Sequence, residues 1–337
     1  MIREAIARLV TGASLTEAEA SAAMVNIMSG EATPAQIGAF LVALRMKGEK
    51  VDEIAGMARV MREHARRVEF PGALLDTCGT GGDERGTFNV STAAAFVAAG
   101  AGARVAKHGN RAMTSRCGSA DVLEALGARI DLGPEQVRQC LDEVGVGFMF
   151  AQAFHPAMKY AAGPRRELGI RTVFNILGPL CNPAGADRQV LGVADPVVAE
   201  KLVHALQRLG SRHALVVHGQ DGIDEVSVSA PTTIFELRDG RVFHDTLLPS
   251  EAGVATHSLE DLRGGTPEEN AARLRAVLAG EPGPLRDFVL VNAAAALVAF
   301  DLAPTIRDGV RLAAHSIDSG AAREKLERFV EVTNRLA

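Results

Sequence analysis

The chain has no tryptophan and a single tyrosine in 337 residues. So few large aromatic rings leave little material for stacking bases, which disfavours single-stranded nucleic-acid binding. A net charge of -5 provides no overall basic field for a phosphate backbone either. Cysteine is sparse: Cys78, Cys117, Cys140 and Cys181 are widely separated and form no C-x-x-C pair. That spacing argues against structural zinc and against a disulfide framework. Long hydrophobic runs are missing too. The longest apolar stretch, residues 93–103, is too short and too broken by glycine to span a bilayer. The N-terminus opens an amphipathic pattern rather than a leader. A cytoplasmic protein with no membrane partner and no nucleic-acid partner is the expectation. No Ser/His/Asp signature and no G-x-S-x-G is present.

What is present is ordered in two parts. Residues 1 to 70 read as helices only. Ser14-Leu-Thr-Glu17 and Thr33-Pro-Ala-Gln36 fit capping boxes, and Pro34 suits a first helical position. Ile37, Phe40, Leu41 and Leu44 then recur at helical spacing, with Gly48 as the stop. After Pro71-Gly72 short apolar runs alternate with helical patterns. Strand candidates are residues 73–75, 103–106, 129–131, 189–193 and 214–217. This alternation predicts a mixed, mainly parallel sheet. Residues 233–237 and 241–246 flank Asp239-Gly240, a hairpin signal. A proline- and glycine-rich stretch near residues 164–185 interrupts the alternation and returns to the helical part. The expected division is a helical domain of residues 1–70, completed by 164–185. An α/β domain of 71–163 and 186–337 makes up the rest.

Four polar clusters carry candidate chemistry. Asp76-Thr-Cys-Gly-Thr-Gly-Gly-Asp83, closing on Asn89-Val-Ser-Thr92, follows the first strand candidate. Consecutive glycines let backbone N–H groups converge on an anion, although a glycine triplet alone equally makes a tight turn. Ser91 or Thr92 fits an N-cap, and a helix N-terminus also attracts phosphate. Lys107-His-Gly-Asn-Arg111 follows the second strand candidate. Lys107 and Arg111 suit phosphate, and Asn110 suits a polar substrate group. Asp224 and Glu225, after residues 214–217, suit Mg²⁺ or an exposed acidic turn. His155-Pro-Ala-Met-Lys159 with Arg165-Arg166 adds a guanidinium matched to a carboxylate. In a parallel sheet such loops share one crevice, here read as a site for a heavily phosphorylated small molecule.

In sequence order, D-T-C-G-T-G-G-D, N-V-S-T-A, K-H-G-N-R, G-S-A-D-V-L-E-A-L-G, H-P-A-M-K, R-R-E-L-G-I-R-T and F-N-I-L-G-P-L-x-N-P resemble the anthranilate phosphoribosyltransferase family of tryptophan biosynthesis. The resemblance covers nearly the whole chain. It implies transfer of phosphoribosyl from 5-phosphoribosyl 1-diphosphate to the amino group of anthranilate. It also implies two Mg²⁺ ions and a homodimer through the helical domain. The implied fold is shared with pyrimidine nucleoside phosphorylases. Carried over by position, Gly79, Gly81, Gly82, Asp83, Thr87, Asn89, Ser91, Thr92, Lys107 and Ser119 would bind the donor. Gly79, His108, Asn110 and Arg165 would bind anthranilate. Ser91, Asp224 and Glu225 would hold metal. No residue is implied as a general base. Cys117 departs from the family's small hydroxyl or glycine, and Met113-Thr114 and Arg116 are milder variants. Two rival readings are a pyrimidine nucleoside phosphorylase and a non-catalytic nucleic-acid binder.

Overall fold

Local capping sets the helix starts. Thr33 Oγ1 accepts from the Gln36 N–H at 3.3 Å, and Gln36 Oε1 accepts from the Thr33 N–H at 3.0 Å. This box launches the helix Pro34–Lys47, which ends at Gly48 with φ +83°. The earlier box lies two residues beyond its expected place: Thr16 caps Glu17–Met28, with Glu19 as reciprocal partner. Ser14 is diverted because its hydroxyl accepts from Lys47 Nζ at 3.3 Å. The next N–H, of Leu15, donates to Glu53 at 2.8 Å. Glu53, on the helix Val51–Glu63, has no exposed surface and also accepts from Lys47 Nζ and the Lys50 N–H, each at 2.8 Å. One buried carboxylate therefore joins three pieces of the helical region.

The computed structural model describes residues 1–112 and 116–337, so the Met113-Thr114 variant lies outside the described residues. Among these, seven strands form one sheet: β1 Leu75–Gly79, β2 Val105–Gly109, β3 Val146–Phe150, β4 Arg188–Gly192, β5 His213–Gly219, β6 Thr232–Arg238 and β7 Arg241–Leu247. Their order is β3-β2-β1-β4-β5-β6-β7. The first five in that order run parallel, and β6 and β7 add antiparallel through the hairpin at Asp239-Gly240. The α/β class and mainly parallel sheet are as expected.

One strand expectation is wrong. Residues 129–131 pair with nothing in the sheet. The Arg129 N–H donates to Thr333 Oγ1 at 3.2 Å, and its guanidinium grips Asp131 at 2.7 Å. The third strand is instead β3, whose Gly147 hides the alternation. A Cβ there would approach Val137 and Leu141 to 2.9 Å, so helix packing and not strand propensity selects the glycine. Two strands also run further than expected. Asp76, Thr77 and Cys78 lie within β1, and Lys107 and His108 within β2. These polar residues are buried sheet residues rather than loop residues.

The helices Val90–Gly100 and Pro284–Ala299 are largely apolar and mostly buried, as helices at the centre of a large core must be. Alanine and glycine let their neighbours close in. A Cβ on Gly309 would approach Ala294 to 2.9 Å, and Ser316 Oγ donates to the Val97 carbonyl at 2.8 Å. Phe96 meets Phe329 edge-on at 5.7 Å. Close backbone approach here replaces the bulk that aromatic residues supply elsewhere. No helix among the described residues is long and apolar enough to cross a membrane.

The stretch after β3 packs against the helices of residues 1–70. Helix Lys159–Leu168 packs on Pro34–Lys47 and Glu17–Met28. Ala161, Phe174, Leu177 and Leu180 join the same apolar cluster as Ile37, Phe40 and Met57. That cluster continues onto one face of the sheet through Leu191, Ala214 and Val216. Arg62 Nε donates to the Leu180 carbonyl at 2.6 Å and fastens the return.

Two outcomes follow from this packing. Replacing Glu53 by Ala leaves Lys47, 6% exposed, without its partner, so urea melts should show a loss of about 3–5 kcal/mol. His213 lies between Asp301 (2.8 Å) and Glu236 (3.0 Å), themselves paired with Arg188 and Arg238. Burial pulls the imidazole pKa down, but Glu236 and Asp301 together raise it above the usual 6.5. The folded state therefore holds that proton more tightly, and the contribution is fully present below pH 6.5 and lost as pH rises through the raised value. The stability gap between the protein and His213→Gln should accordingly be wider at pH 5.5 than at pH 8.5. Equal gaps would refute the charged clamp.

Candidate active site

The carboxyl ends of β1 and β4 lie side by side where the strand order reverses, the place at which open α/β sheets bind ligands. Gly79 and Gly192 end these strands as register partners. Both lack a side chain because the loop bearing Asp224 passes over them. A Cβ on Gly79 would meet Asp224 Oδ2 at 2.5 Å, and one on Gly192 would overlap the Asp224 carbonyl. The glycine loop after β1 then bonds to this acidic loop: the Gly81 N–H donates to Asp224 Oδ2 at 2.7 Å, and the Thr80 N–H to the Gly192 carbonyl at 2.9 Å. At Gly82, φ +77° favours glycine, and the Arg171 guanidinium lies where a Cβ would stand.

Asp83, Asp224 and Glu225 crowd together here. Burial pushes the Asp224 carboxyl up to about 7, with Asp83 adding to the shift. Burial, with Asp224 adding, raises Glu225 well above the carboxylate range, and Lys107 opposes this. Burial raises Asp83 as well, and its Oδ2 is a buried atom with no hydrogen-bond partner. Such a cluster is short of positive charge and suits a hard divalent cation. Among the described residues no three His, Cys, Asp or Glu form a ready cage, which matches an ion held by one or two carboxylates together with ligand oxygens.

Lys107 is in the middle of β2, 3% exposed, and not on a loop. Its Nζ donates to the Thr77 carbonyl and lies 3.3 Å from Ser91 Oγ. Burial lowers its pKa while Asp76 opposes the shift. A cavity of about 10 Å³, at the lower limit for one water, is lined by Thr77, Ser91 and Glu225 among others. Structure thus brings together Gly79, Gly81, Gly82, Asp83, Ser91, Lys107, Asp224 and Glu225.

Thr87 and Asn89 sit on the far arm of the loop, pinned by a segment that carries no motif of its own. Thr87 bridges Arg263, and the Phe88 N–H donates to the Leu262 carbonyl at 2.9 Å. Asn89 precedes the helix Val90–Gly100 as its N-cap residue, so neither Ser91 nor Thr92 caps it. Asn89 makes no cap bond because its amide is held elsewhere. Its Nδ2 donates to the Cys117 carbonyl at 3.0 Å, and its Oδ1 accepts from Asn270 at 2.8 Å. Thr92 Oγ1 is buried without a partner. Burial pushes the Cys117 thiol up to about 11 and keeps it protonated.

One expectation around β2 changes. Arg111 is not free for phosphate: it pairs with Asp121 at 3.0 Å and with both oxygens of Glu124. Gly118 precedes the helix that opens at Ser119, and Asp121 receives the Gly118 and Ala112 N–H groups at 2.9 Å. Ser119 Oγ donates to the Asn110 carbonyl at 3.3 Å, so these two residues share one corner.

On the opposite side, the Arg165 guanidinium stacks over Phe174 at 5.1 Å. Burial alone lowers its pKa, and no carboxylate among the described residues pairs with it. A desolvated cation without an anion is costly, which is the complement of a carboxylate ligand. His108 and His155 face each other at 5.0 Å, each with a buried Nε2 lacking a partner. Burial, reinforced by His155, takes His108 down to about 3, and burial takes His155 to about 4, so both rings are neutral polar groups.

Three further residues shape the site without a local sequence signal. Asn182 Nδ2 donates to Asp76 and to the Ala106 carbonyl, both at 2.8 Å, joining the return segment to β1 and β2. Asn270 orients Asn89. Arg171 donates to the Gly81 carbonyl at 2.9 Å. Arg171 and Asn182 stand inside motifs already picked out, but only contacts across the fold reveal their partners.

Residues 71–323 match the family model for the glycosyl transferase family, a/b domain, and residues 3–65 its helical bundle domain. The chain is 59% identical over 330 residues to anthranilate phosphoribosyltransferase of Symbiobacterium thermophilum, covering 98% of this chain and 97% of that one. It is 60% identical to that of Chloroflexus aurantiacus, covering 98% of each chain. The crystal structure of the enzyme from Thermus thermophilus superposes with a TM-score of 0.93 at 48% identity, over 98% of this chain and 99% of that one. The enzyme from Saccharomyces cerevisiae in complex with PRPP and Mg superposes with a TM-score of 0.92 at 31% identity, over 99% and 98%. With both of its parts matched end to end, the chain belongs to the anthranilate phosphoribosyltransferase family.

Proposed function

We propose that this protein transfers phosphoribosyl from 5-phosphoribosyl 1-diphosphate to the amino nitrogen of anthranilate, with Mg²⁺. The products are N-(5-phosphoribosyl)anthranilate and diphosphate, the second step of tryptophan synthesis from chorismate. The observation that carries the reading is a pair of unmet charges: carboxylates short of a cation at Asp83, Asp224 and Glu225, and a guanidinium short of an anion at Arg165. A metal-bound diphosphate answers the first and an aromatic carboxylate the second. A nucleoside phosphorylase, whose neutral base brings no carboxylate, leaves Arg165 unanswered.

In this reading Gly79, Gly81, Gly82, Asp83, Thr87, Asn89, Ser91, Thr92, Lys107 and Ser119 surround the donor, and Gly79, His108, Asn110 and Arg165 the acceptor. Ser91, Asp224 and Glu225 would hold two metal ions, which supply Lewis-acid neutralisation of the diphosphate. Breaking the C1–O bond places extra charge on the leaving oxygens. Lys107 and the N–H groups opening Val90–Gly100 stabilise that charge. Arg165 orients the acceptor so that its neutral amine meets C1, and the proton leaves afterwards. A dedicated base is unnecessary, and positioning provides much of the acceleration.

The division into a helical unit of residues 1–70 with 164–185, and an α/β unit of 71–163 with 186–337, would set the two substrates on opposite walls. A homodimer through the helical unit would cover exposed Val10 and Met46, 68% and 83% accessible. Cytoplasmic conditions would keep the four thiols reduced.

Anthranilate fluorescence should fall only when protein, donor and Mg²⁺ are all present. Arg165→Ala should raise the anthranilate KM about tenfold or more while sparing the donor KM, since loss of a charge-assisted bond costs about 1.5–3 kcal/mol. A flat trace in the complete mixture would exclude the transferase. Asp224→Asn keeps an acceptor for the Gly81 N–H but removes one of the crowded charges. At pH 8 without metal, its melting temperature should therefore exceed the parent's by a few degrees, on the order of 1 kcal/mol. Mg²⁺ with donor should then stabilise the parent and not the variant.

A further inference from the structure

Arg171 is exposed, yet it is held in place. Its Nη2 donates to the Gly81 carbonyl at 2.9 Å and reaches the Thr80 carbonyl at 3.4 Å. Its guanidinium also occupies the space that a Cβ on Gly82 would need. No carboxylate pairs with it among the described residues, although its charge acts on Asp224. An exposed arginine ordinarily keeps its rotamer freedom, and fixing it costs side-chain entropy. Two carbonyl contacts, on Thr80 and Gly81, beside a Gly82 with no side chain in the way, mark a built contact and not a passing one.

The chain path gives the contact its meaning. Helix Lys159–Leu168 carries Arg165 and ends at Gly169, φ +61°, whose N–H returns to the Arg165 carbonyl at 3.3 Å. Two residues later Arg171 reaches across to the glycine loop. On the other side of that loop the Gly81 N–H is held by Asp224. Carbonyls claimed by Arg171 are kept away from an incoming diphosphate, whose oxygens they would repel.

We propose that Arg171 is a positioning residue for the donor loop, fixing the Thr80 and Gly81 carbonyls so that the Gly82 N–H stays presented to the diphosphate, the Thr80 and Gly81 N–H groups being held by Gly192 and Asp224. The identity of that ligand rests on the transferase reading; the latch itself does not.

The test is amide exchange of residues 79–86 in the ligand-free protein, in Arg171→Ala and in Arg171→Lys, followed by steady-state kinetics. In Arg171→Ala exchange should rise at residues 80 and 81, whose N–H groups are bonded to Gly192 and Asp224 in the parent, while β1 and the helix Val90–Gly100 keep their protection. The KM for phosphoribosyl diphosphate should rise about tenfold, with kcat and the anthranilate KM little changed. Arg171→Lys, which reaches one carbonyl but cannot cover Gly82, should fall between the two. Unchanged loop exchange in both variants would overturn the proposal, as would a fall in kcat at constant donor KM. Should Arg171→Ala lose protection throughout the sheet, Arg171→Lys alone decides, by showing or lacking the local effect. Exchange reads the latch even in a protein that transfers nothing, so its failure is distinct from failure of the transferase reading.

Discussion

Asp76 has no exposed surface, and both β2 and the return segment close on its carboxylate. The His108 N–H donates to it from β2 at 3.1 Å, and Asn182 from the return segment at 2.8 Å. Lys107 supplies the opposing charge. A buried carboxylate tolerates such a place only when its oxygens are occupied and a cation is near. Meeting those conditions draws the sheet centre, Lys107 and the segment leading back to the helices into one arrangement. The positions of β1, β2 and residue 182 are therefore interdependent, and the crevice inherits their relative placement.

From this centre the site is built outward as paired deficits. Carboxylates gather at Asp83, Asp224 and Glu225 without enough positive charge, while Arg165 is desolvated without a negative one. Polar atoms of His108, His155 and Thr92 also stand buried and unpartnered. Each is destabilising in the free protein, and substrates with the complementary charge would relieve it. Stored electrostatic cost of this kind is common at active sites because it is released on binding. It also explains why local rules break here. Asn89 does not cap its helix, and the Gly81 N–H rests on a carboxylate.

Much of the fold was legible in the order of residues. The Thr33–Gln36 box, the stop at Gly48 and the turn at Asp239-Gly240 depend on neighbours in sequence, and each appears where local chemistry places it. The Ser14 box shifted to Thr16, with the Ser14 hydroxyl taken by Lys47 and the Leu15 N–H by Glu53 of another helix. The strand at residues 129–131 failed while β3 went unseen, because Gly147 answers to side chains of a packed helix. Arg111 looked like a phosphate ligand until Asp121 and Glu124 came within reach.

Spacing and residue type within short windows were enough for the helical and α/β parts, the glycine loop, the acidic pair and the family. Folding had to occur before Lys107 came to lie beneath β1, Asn270 oriented Asn89, Asn182 joined the return segment to the sheet and Arg171 gripped the loop. The physical reason is separation along the chain: Asn89 and Asn270 are 181 residues apart, and Asp76 and Asn182 are 106. A polar side chain carries no mark of its partner until burial brings the two together and removes the water that would otherwise serve instead.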